Sequence, residues 1–269
     1  MAPDPQDGEA GRQRMPLGGR SVSALIPNAL TICALCAGLT AVRFAFVDRW
    51  EHAVAAIMVA AILDGLDGRM ARLLNATSKF GAELDSLSDF VSFGAAPALI
   101  LFLWSADGAG GIGWAAALFY AVCCALRLAR FNTMLADPSP PAWARYYFTG
   151  VPAPAGAFLA VLPLMIEFAF GGGTFADPWV CSGVLVLVGA LMVSRIPTFA
   201  MKQMRIPRAM TVPALVLVAL LVGALATAPW ATLVAAGACY LASIPLSVLR
   251  QRKAVRAAAA EHAQPGNGA

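Results

Sequence analysis

Four aspartates, Asp64, Asp67, Asp85 and Asp89, lie within 26 consecutive positions of an otherwise apolar region of the chain. On a helix, positions 64 and 67 share one face, and positions 85 and 89, four residues apart, share one face of the next helix. Two antiparallel helices joined by the short loop 73–80 would bring these faces together. The spacing therefore predicts four carboxylates converging on one small volume.

Carboxylates this close together cannot all stay ionised without a cation. Oxygen donors with no histidine or cysteine nearby favour Mg²⁺, Mn²⁺ or Ca²⁺ over zinc. Gly68 and Gly81 leave space for a bulky ligand, and the guanidinium of Arg72 suits phosphate oxygens. The pattern predicts a phosphate and divalent-metal site. The alternatives are a structural ionic network with Arg69, Arg72 and Lys79, or an ion pathway, although pathway carboxylates are usually spread through the membrane depth.

The composition predicts what must hold these residues in place. Of 269 residues, 59% are hydrophobic and 13% are charged, with a mean hydropathy of +0.72, whereas soluble domains are about half apolar and about a quarter charged. The six cysteines fall in apolar stretches, which excludes a disulfide scaffold. We expect an all-α integral membrane protein, a bundle of eight transmembrane helices. Their apolar runs occupy about 26–47, 53–74, 84–104, 112–131, 150–170, 179–195, 210–227 and 230–249.

The positive charges predict the orientation. Eight spans put both termini on one side, and all but two of the 19 basic residues, Arg43 and Arg49, fall on that side. Because basic residues are retained in the cytoplasm, both termini should be cytoplasmic. The expected organisation is a disordered tail over 1–25, a transmembrane domain over 26–249, and a basic then Ala-rich cytoplasmic tail over 250–269. The net charge of +4 is explained by this topology, without a nucleic-acid partner.

Read as D-x2-D-G-x2-A-R-x8-G-x3-D-x3-D, the run from Asp64 to Asp89 resembles the signature of the CDP-alcohol phosphatidyltransferase family at every fixed position. The resemblance implies two divalent cations, Mg²⁺ or Mn²⁺, held by the four aspartates, with Asp89 also acting as the general base. It implies contacts to CDP-diacylglycerol from Gly68, Arg72 and Ser78. Weaker candidates for this role, at the start of the first helix, are Asn28 and Thr31.

Segments 80–97, 125–132 and 148–154 resemble the bacterial, membrane-embedded phosphatidylserine synthases of that family. This implies transfer from CDP-diacylglycerol to L-serine by a homodimer of the bacterial inner membrane, with its site facing the cytoplasm. Serine brings a carboxylate that an arginine fork matches, so the predicted serine contacts are Arg127, Arg130, Asn132 and Lys202, and Arg130→Ala is expected to raise the KM for serine. The alternatives are another acceptor, such as glycerol phosphate, inositol phosphate or choline, or an ion-coupled transporter.

Overall fold

The computed structural model describes residues 25–135, 147–194, 197–199 and 211–262, so Lys202 and the outermost parts of both tails lie outside the described residues. Ten α-helices and two short strands follow one another along these ranges. They are α1 (Leu25–Ala45), α2 (Trp50–Leu73), α3 (Lys79–Asp89), α4 (Ala96–Trp104), α5 (Gly111–Leu135), β1 (Tyr147–Thr149), α6 (Ala153–Ala160), α7 (Leu162–Phe170), α8 (Pro178–Val193), β2 (Pro197–Phe199), α9 (Thr211–Thr227) and α10 (Pro229–His262). Short 3₁₀ turns occupy Ala106–Ala109 and Thr174–Ala176.

The helices lie on the eight apolar runs of the sequence, and they identify the chain as an integral membrane protein. Within the described ranges, three helices are long and apolar enough to cross a membrane: Leu25–Ala45, Lys79–Trp104 and Gly111–Met134. The pair α6 and α7, bent by 41°, would make a fourth span. Helix α2 has 24 residues but carries Asp64, Asp67 and arginines near its end, and the remaining apolar helices are shorter. The eight-span bundle stays a prediction.

The two strands were not expected from the sequence. β1 and β2 pair antiparallel, with Tyr147 opposite Phe199 and Thr149 opposite Pro197. They belong to the connections that enter α6 and leave α8, so the pairing joins two loops at the same end of the helices. Aromatic and β-branched residues favour extended pairing, but three-residue strands carry no periodic signal in the sequence.

Helix α1 packs against both α2 and α3, and small residues allow the close approach. A Cβ atom at Gly38 would collide with the side chain of Ser92. The hydroxyls of Ser88 and Ser92 donate to the α1 carbonyls of Thr31 (3.1 Å) and Ala34 (3.3 Å). Small residues and hydroxyl-to-backbone bonds are the usual means of joining helices in an apolar medium. Helix α1 therefore sets the position of the helix that carries Asp85 and Asp89.

A π-helical turn, Phe90–Ala95, follows directly after Asp89 and continues into α4. The wider turn changes which residues face the core, and such turns occur frequently beside functional sites. The hydroxyl of Tyr120 on α5 donates to the carbonyl of Phe93 at 2.8 Å, inside the core. This buried hydrogen bond fixes the π-helical turn, and the π-helical turn fixes the end of α3.

Helix α10 continues to His262 and so extends past residue 249, where the sequence predicted the C-terminal tail to begin. The added stretch contains four consecutive alanines at 257–260 together with arginine and lysine. These residues have high helix propensity, which explains why the helix does not end with the apolar run.

Candidate active site

The loop between α2 and α3 is closed by a helix cap. The hydroxyl oxygen of Ser78 accepts a hydrogen bond from the backbone N–H of Gly81 at 3.0 Å, as a serine at the N-cap of a helix commonly does. The hydroxyl hydrogen of Ser78 remains free to donate to a ligand. One residue therefore both starts α3 and offers a donor beside the aspartates.

Three of the four aspartates form one cluster. Asp64, Asp67 and Asp85 each place a carboxylate oxygen within 4.8 Å of the others. Asp67 is buried, and Asp64 and Asp85 are half-buried. The carboxyl group of Asp89 lies beside them, within hydrogen-bonding reach of Asp64. The helical spacing in the sequence thus brings the four carboxylates together as predicted.

Among the described residues, Arg69, Arg72 and Lys79 form no ion pair with these aspartates, and Arg127 is the basic residue that interacts electrostatically with Asp89. The guanidinium of Arg72 is exposed, and its Nε donates to the carbonyl of Gly68 on the same helix at 3.0 Å. This geometry argues against the structural ionic network that the sequence left open.

A divalent cation fits the donors that are present. Two oxygens that share an Mg²⁺ ion lie at most about 4.2 Å apart, and two that share Ca²⁺ lie at most about 5 Å apart. The carboxylate oxygens of the cluster lie within 4.8 Å of one another, which is inside the limit for Ca²⁺ and above the limit for Mg²⁺, so Mg²⁺ would require the three side chains to move closer together. Carboxylates without a competing cation are the donor set of hard divalent metals.

Thr31 connects the cluster to α1. Its buried hydroxyl lies 2.6 Å from Oδ2 of Asp67 and 3.1 Å from the carbonyl oxygen of Pro27. The single hydroxyl hydrogen serves one acceptor at a time, and the shorter contact favours the carboxylate. Sequence reasoning proposed Thr31 as a lipid-nucleotide contact, and the structure adds that it orients Asp67.

A cleft of about 200 Å³ opens beside the cluster, between the start of α1, the end of α2 and the start of α3. A Cβ atom at Gly68 would meet nothing within 4 Å, whereas one at Gly81 would lie 2.9 Å from Oδ1 of Asn28 and 3.1 Å from Oγ of Ser78. Gly68 therefore keeps the cleft open, and Gly81 allows the side chain of Asn28 to approach α3. The predicted site residues in its lining are Asn28, Thr31, Asp67, Gly68, Ser78 and Asp85.

The predicted serine contacts divide into two groups. Arg127 is 8% exposed, its Nε donates to the carbonyl of Val151, and it is an electrostatic neighbour of Asp89. Asn132 donates from Nδ2 to Oγ of Ser86 at 2.8 Å, next to Asp85 in the chain. Arg130 is exposed and donates from Nη1 to the carbonyl of Val193 at 3.0 Å. Arg127 and Asn132 thus approach α3, while Arg130 reaches the end of α8.

Three residues near the site were not predicted from the sequence. Thr77 lines the cleft, Ser86 accepts from Asn132, and Tyr240 is an electrostatic neighbour of Arg127. Thr77 and Ser86 are the sequence neighbours of Ser78 and Asp85, so their positions could have indicated that they lie near the site. Tyr240 comes from a distant helix, and no local pattern points to it.

The amino-acid sequence is similar to that of known proteins. A sequence model of CDP-alcohol phosphatidyltransferase matches residues 24–196, and a second, CDP-alcohol phosphatidyltransferase 2, matches residues 209–245. Proteins named CDP-diacylglycerol–serine O-phosphatidyltransferase are similar to it. The one from Mycobacterium tuberculosis is 41% identical over 238 residues, 88% of this chain and 83% of the relative. Those from Mycobacterium leprae and Helicobacter pylori are 40% identical, covering 85% and 64% of this chain and 76% and 70% of their own.

Proposed function

Because the chain belongs to the CDP-alcohol phosphatidyltransferase family, we propose that it transfers the phosphatidyl group of CDP-diacylglycerol to L-serine, giving phosphatidylserine and CMP. The observation that carries this proposal is the cluster of Asp64, Asp67 and Asp85 at the edge of a cleft. The names of relatives that are 40–41% identical support serine as the acceptor.

The reaction forms a bond between the serine hydroxyl oxygen and the phosphorus next to diacylglycerol, and it breaks the bond from that phosphorus to CMP. The proton of the serine hydroxyl passes to the carboxylate of Asp89, and the electron pair of the broken bond leaves with CMP. Asp64, Asp67, Asp85 and Asp89 would hold two divalent cations, Mg²⁺ or Mn²⁺. Bound there, such ions offset the charge of the diphosphate and of the departing CMP.

The cleft holds the nucleotide in this proposal. The open space at Gly68 accepts the diphosphate, and the hydroxyl of Ser78 donates to a phosphate oxygen. Asn28 and Thr31 line the opposite side on α1. Arg72 is not part of the lining, but its bond to the carbonyl of Gly68 places a positive charge near the cleft. The serine carboxylate is assigned to Arg127, with Arg130, Asn132 and Lys202 as further candidates.

The membrane arrangement is part of the same proposal. Eight spans, cytoplasmic termini and a cytoplasmic active site in a bacterial inner membrane are supported by the match of the helices to the eight apolar runs and by the basic residues on one side. This side gives the site access to serine from the cytoplasm. The proposal also includes the association of two copies of the chain as a homodimer.

The test is CMP release by the purified protein with CDP-diacylglycerol and Mn²⁺ or Mg²⁺. We expect release with L-serine, formation of phosphatidylserine by mass spectrometry, and loss of both in EDTA. Glycerol phosphate, inositol phosphate and choline serve as competing acceptors. CMP release with one of these alcohols and not with serine would identify that alcohol as the acceptor. Ion flux in liposomes without any CMP release would show that the protein is a transporter and not an enzyme.

Asparagine at Asp64, Asp67 or Asp85 is expected to raise the cation concentration that gives half-maximal activity by about tenfold or more, since metal affinity depends on the number of charged ligands. Excess cation should restore part of the activity. Asp107→Asn is the matched control, because Asp107 is exposed in the 3₁₀ turn between α4 and α5, far from the cluster. An unchanged cation dependence in all three variants would refute the ligand assignment.

A further inference from the structure

Tyr240 of α10 carries a buried hydroxyl oxygen that has no hydrogen-bond partner among the described residues. Its ring packs against the apolar core. Buried hydroxyls are almost always paired, because leaving one unpaired costs the hydration it had in water. An unpaired one in a native fold therefore calls for an explanation, and binding of a polar ligand at this position provides one.

Helix α10 packs against α7 over the turns that precede Tyr240. Trp230 contacts the ring of Phe168 on α7, with centroids 5.0 Å apart. A Cβ atom at Gly237 would come within 2.9 Å of the side chain of Leu162, so α10 approaches α7 closely one turn before Tyr240. These contacts fix α10 against α7. On the next turn of α10, the phenol of Tyr240 interacts electrostatically with Arg127 of α5.

Arg127 is also incompletely satisfied. Its guanidinium is buried, and within the described ranges its hydrogen bonding is limited to the one from Nε to Val151. Among the described residues, the two terminal nitrogens donate no hydrogen bond and form no ion pair. They are not among the fully enclosed unpaired atoms, so a ligand can reach them. A largely buried guanidinium is stabilised by an anionic partner. An anionic group placed here would satisfy both the guanidinium and the phenol.

We propose that Tyr240 and Arg127 together bind the carboxylate of the acceptor amino acid, with the phenol donating to one oxygen and the terminal guanidinium nitrogens to the carboxylate as a whole. This rests on the proposed function and assigns Tyr240 as a specificity-determining residue. The pair lies on the Asp89 side of the cluster, so it would leave the serine hydroxyl directed towards that carboxylate. Helix α10 then distinguishes serine from an amino alcohol that lacks the carboxylate.

The test is the kinetics of Tyr240→Phe with the matched control Tyr120→Phe, whose hydroxyl already has a backbone partner. Tyr240→Phe should raise the KM for L-serine by about tenfold to a hundredfold, the range for a hydrogen bond to a charged group, and leave the KM for CDP-diacylglycerol unchanged. The thermal stability of Tyr240→Phe should not fall, because the substitution removes a hydroxyl that makes no hydrogen bond to the described residues. Tyr120→Phe should lower thermal stability and, because its hydroxyl fixes the turn after Asp89, it should affect the turnover number without a selective rise in the KM for L-serine.

Competition provides a second measurement. Serinol lacks the carboxylate, so its inhibition constant should be the same in the wild type and in Tyr240→Phe, while the constant for a carboxylate-bearing serine analogue rises. A serine KM that stays within twofold, or a parallel rise in both KM values, would overturn the assignment of Tyr240 alone. A wild-type protein that releases no CMP with L-serine would overturn the proposed function itself.

Discussion

Asp89→Asn is expected to lower the turnover number by about 10²- to 10⁴-fold, the usual contribution of a general base, while the KM for CDP-diacylglycerol changes little. The amide keeps the size of the side chain and loses its basicity. Asp89 lies beside the three carboxylates that meet within 4.8 Å without being one of them, and it is within hydrogen-bonding reach of Asp64 and interacts electrostatically with Arg127. Single-turnover CMP release at saturating cation measures the chemical step directly.

Glu83→Gln is the matched control for this change, since Glu83 is an exposed acid on the same helix. It should retain wild-type turnover. If Asp89→Asn kept near-wild-type turnover, another residue would be the base. If excess cation restored Asp89→Asn, Asp89 would be a metal ligand and no more.

The convergence of the aspartates could be predicted because it depends on local geometry. Spacings of three and four residues place the carboxylates of α2 and of α3 on single faces, and a five-residue connection between Leu73 and Lys79 limits how far apart the helices can be. The apolar runs predicted the helices for the same reason. Both features depend on residues that are close together in the sequence.

The remaining features depend on contacts between distant segments. The hydrogen bond from Thr31 to Asp67, the pairing of β1 with β2, and the phenol of Tyr240 beside Arg127 each join elements that no local pattern relates. The π-helical turn after Asp89 is likewise fixed by Tyr120, from the next long helix. The sequence also could not show that Arg127 is a better candidate than Arg130 for binding serine. The two arginines are three residues apart on one helix, and only the residues that surround them in the fold differ.

Those surroundings give the second large expected effect: Arg127→Ala should raise the KM for L-serine far more than Arg130→Ala does. Removing one partner of a buried charge pair costs about 2 to 5 kcal/mol, equivalent to about 30- to 4,000-fold, and Arg127 is buried beside Asp89. Arg130 is exposed and already bonded to the carbonyl of Val193, so its loss should cost less.

Arg127→Lys tests the geometry separately from the charge. Lysine keeps the positive charge but cannot form the two-point contact of a guanidinium with a carboxylate, so the KM for serine should still rise while that for CDP-diacylglycerol stays constant. Arg49→Ala, an exposed charge at the other end of α2, is the control and should change neither KM. A parallel rise in both KM values would mean that Arg127 holds the lipid or the helix packing through Val151. The selective rise is the result that a serine-binding arginine requires.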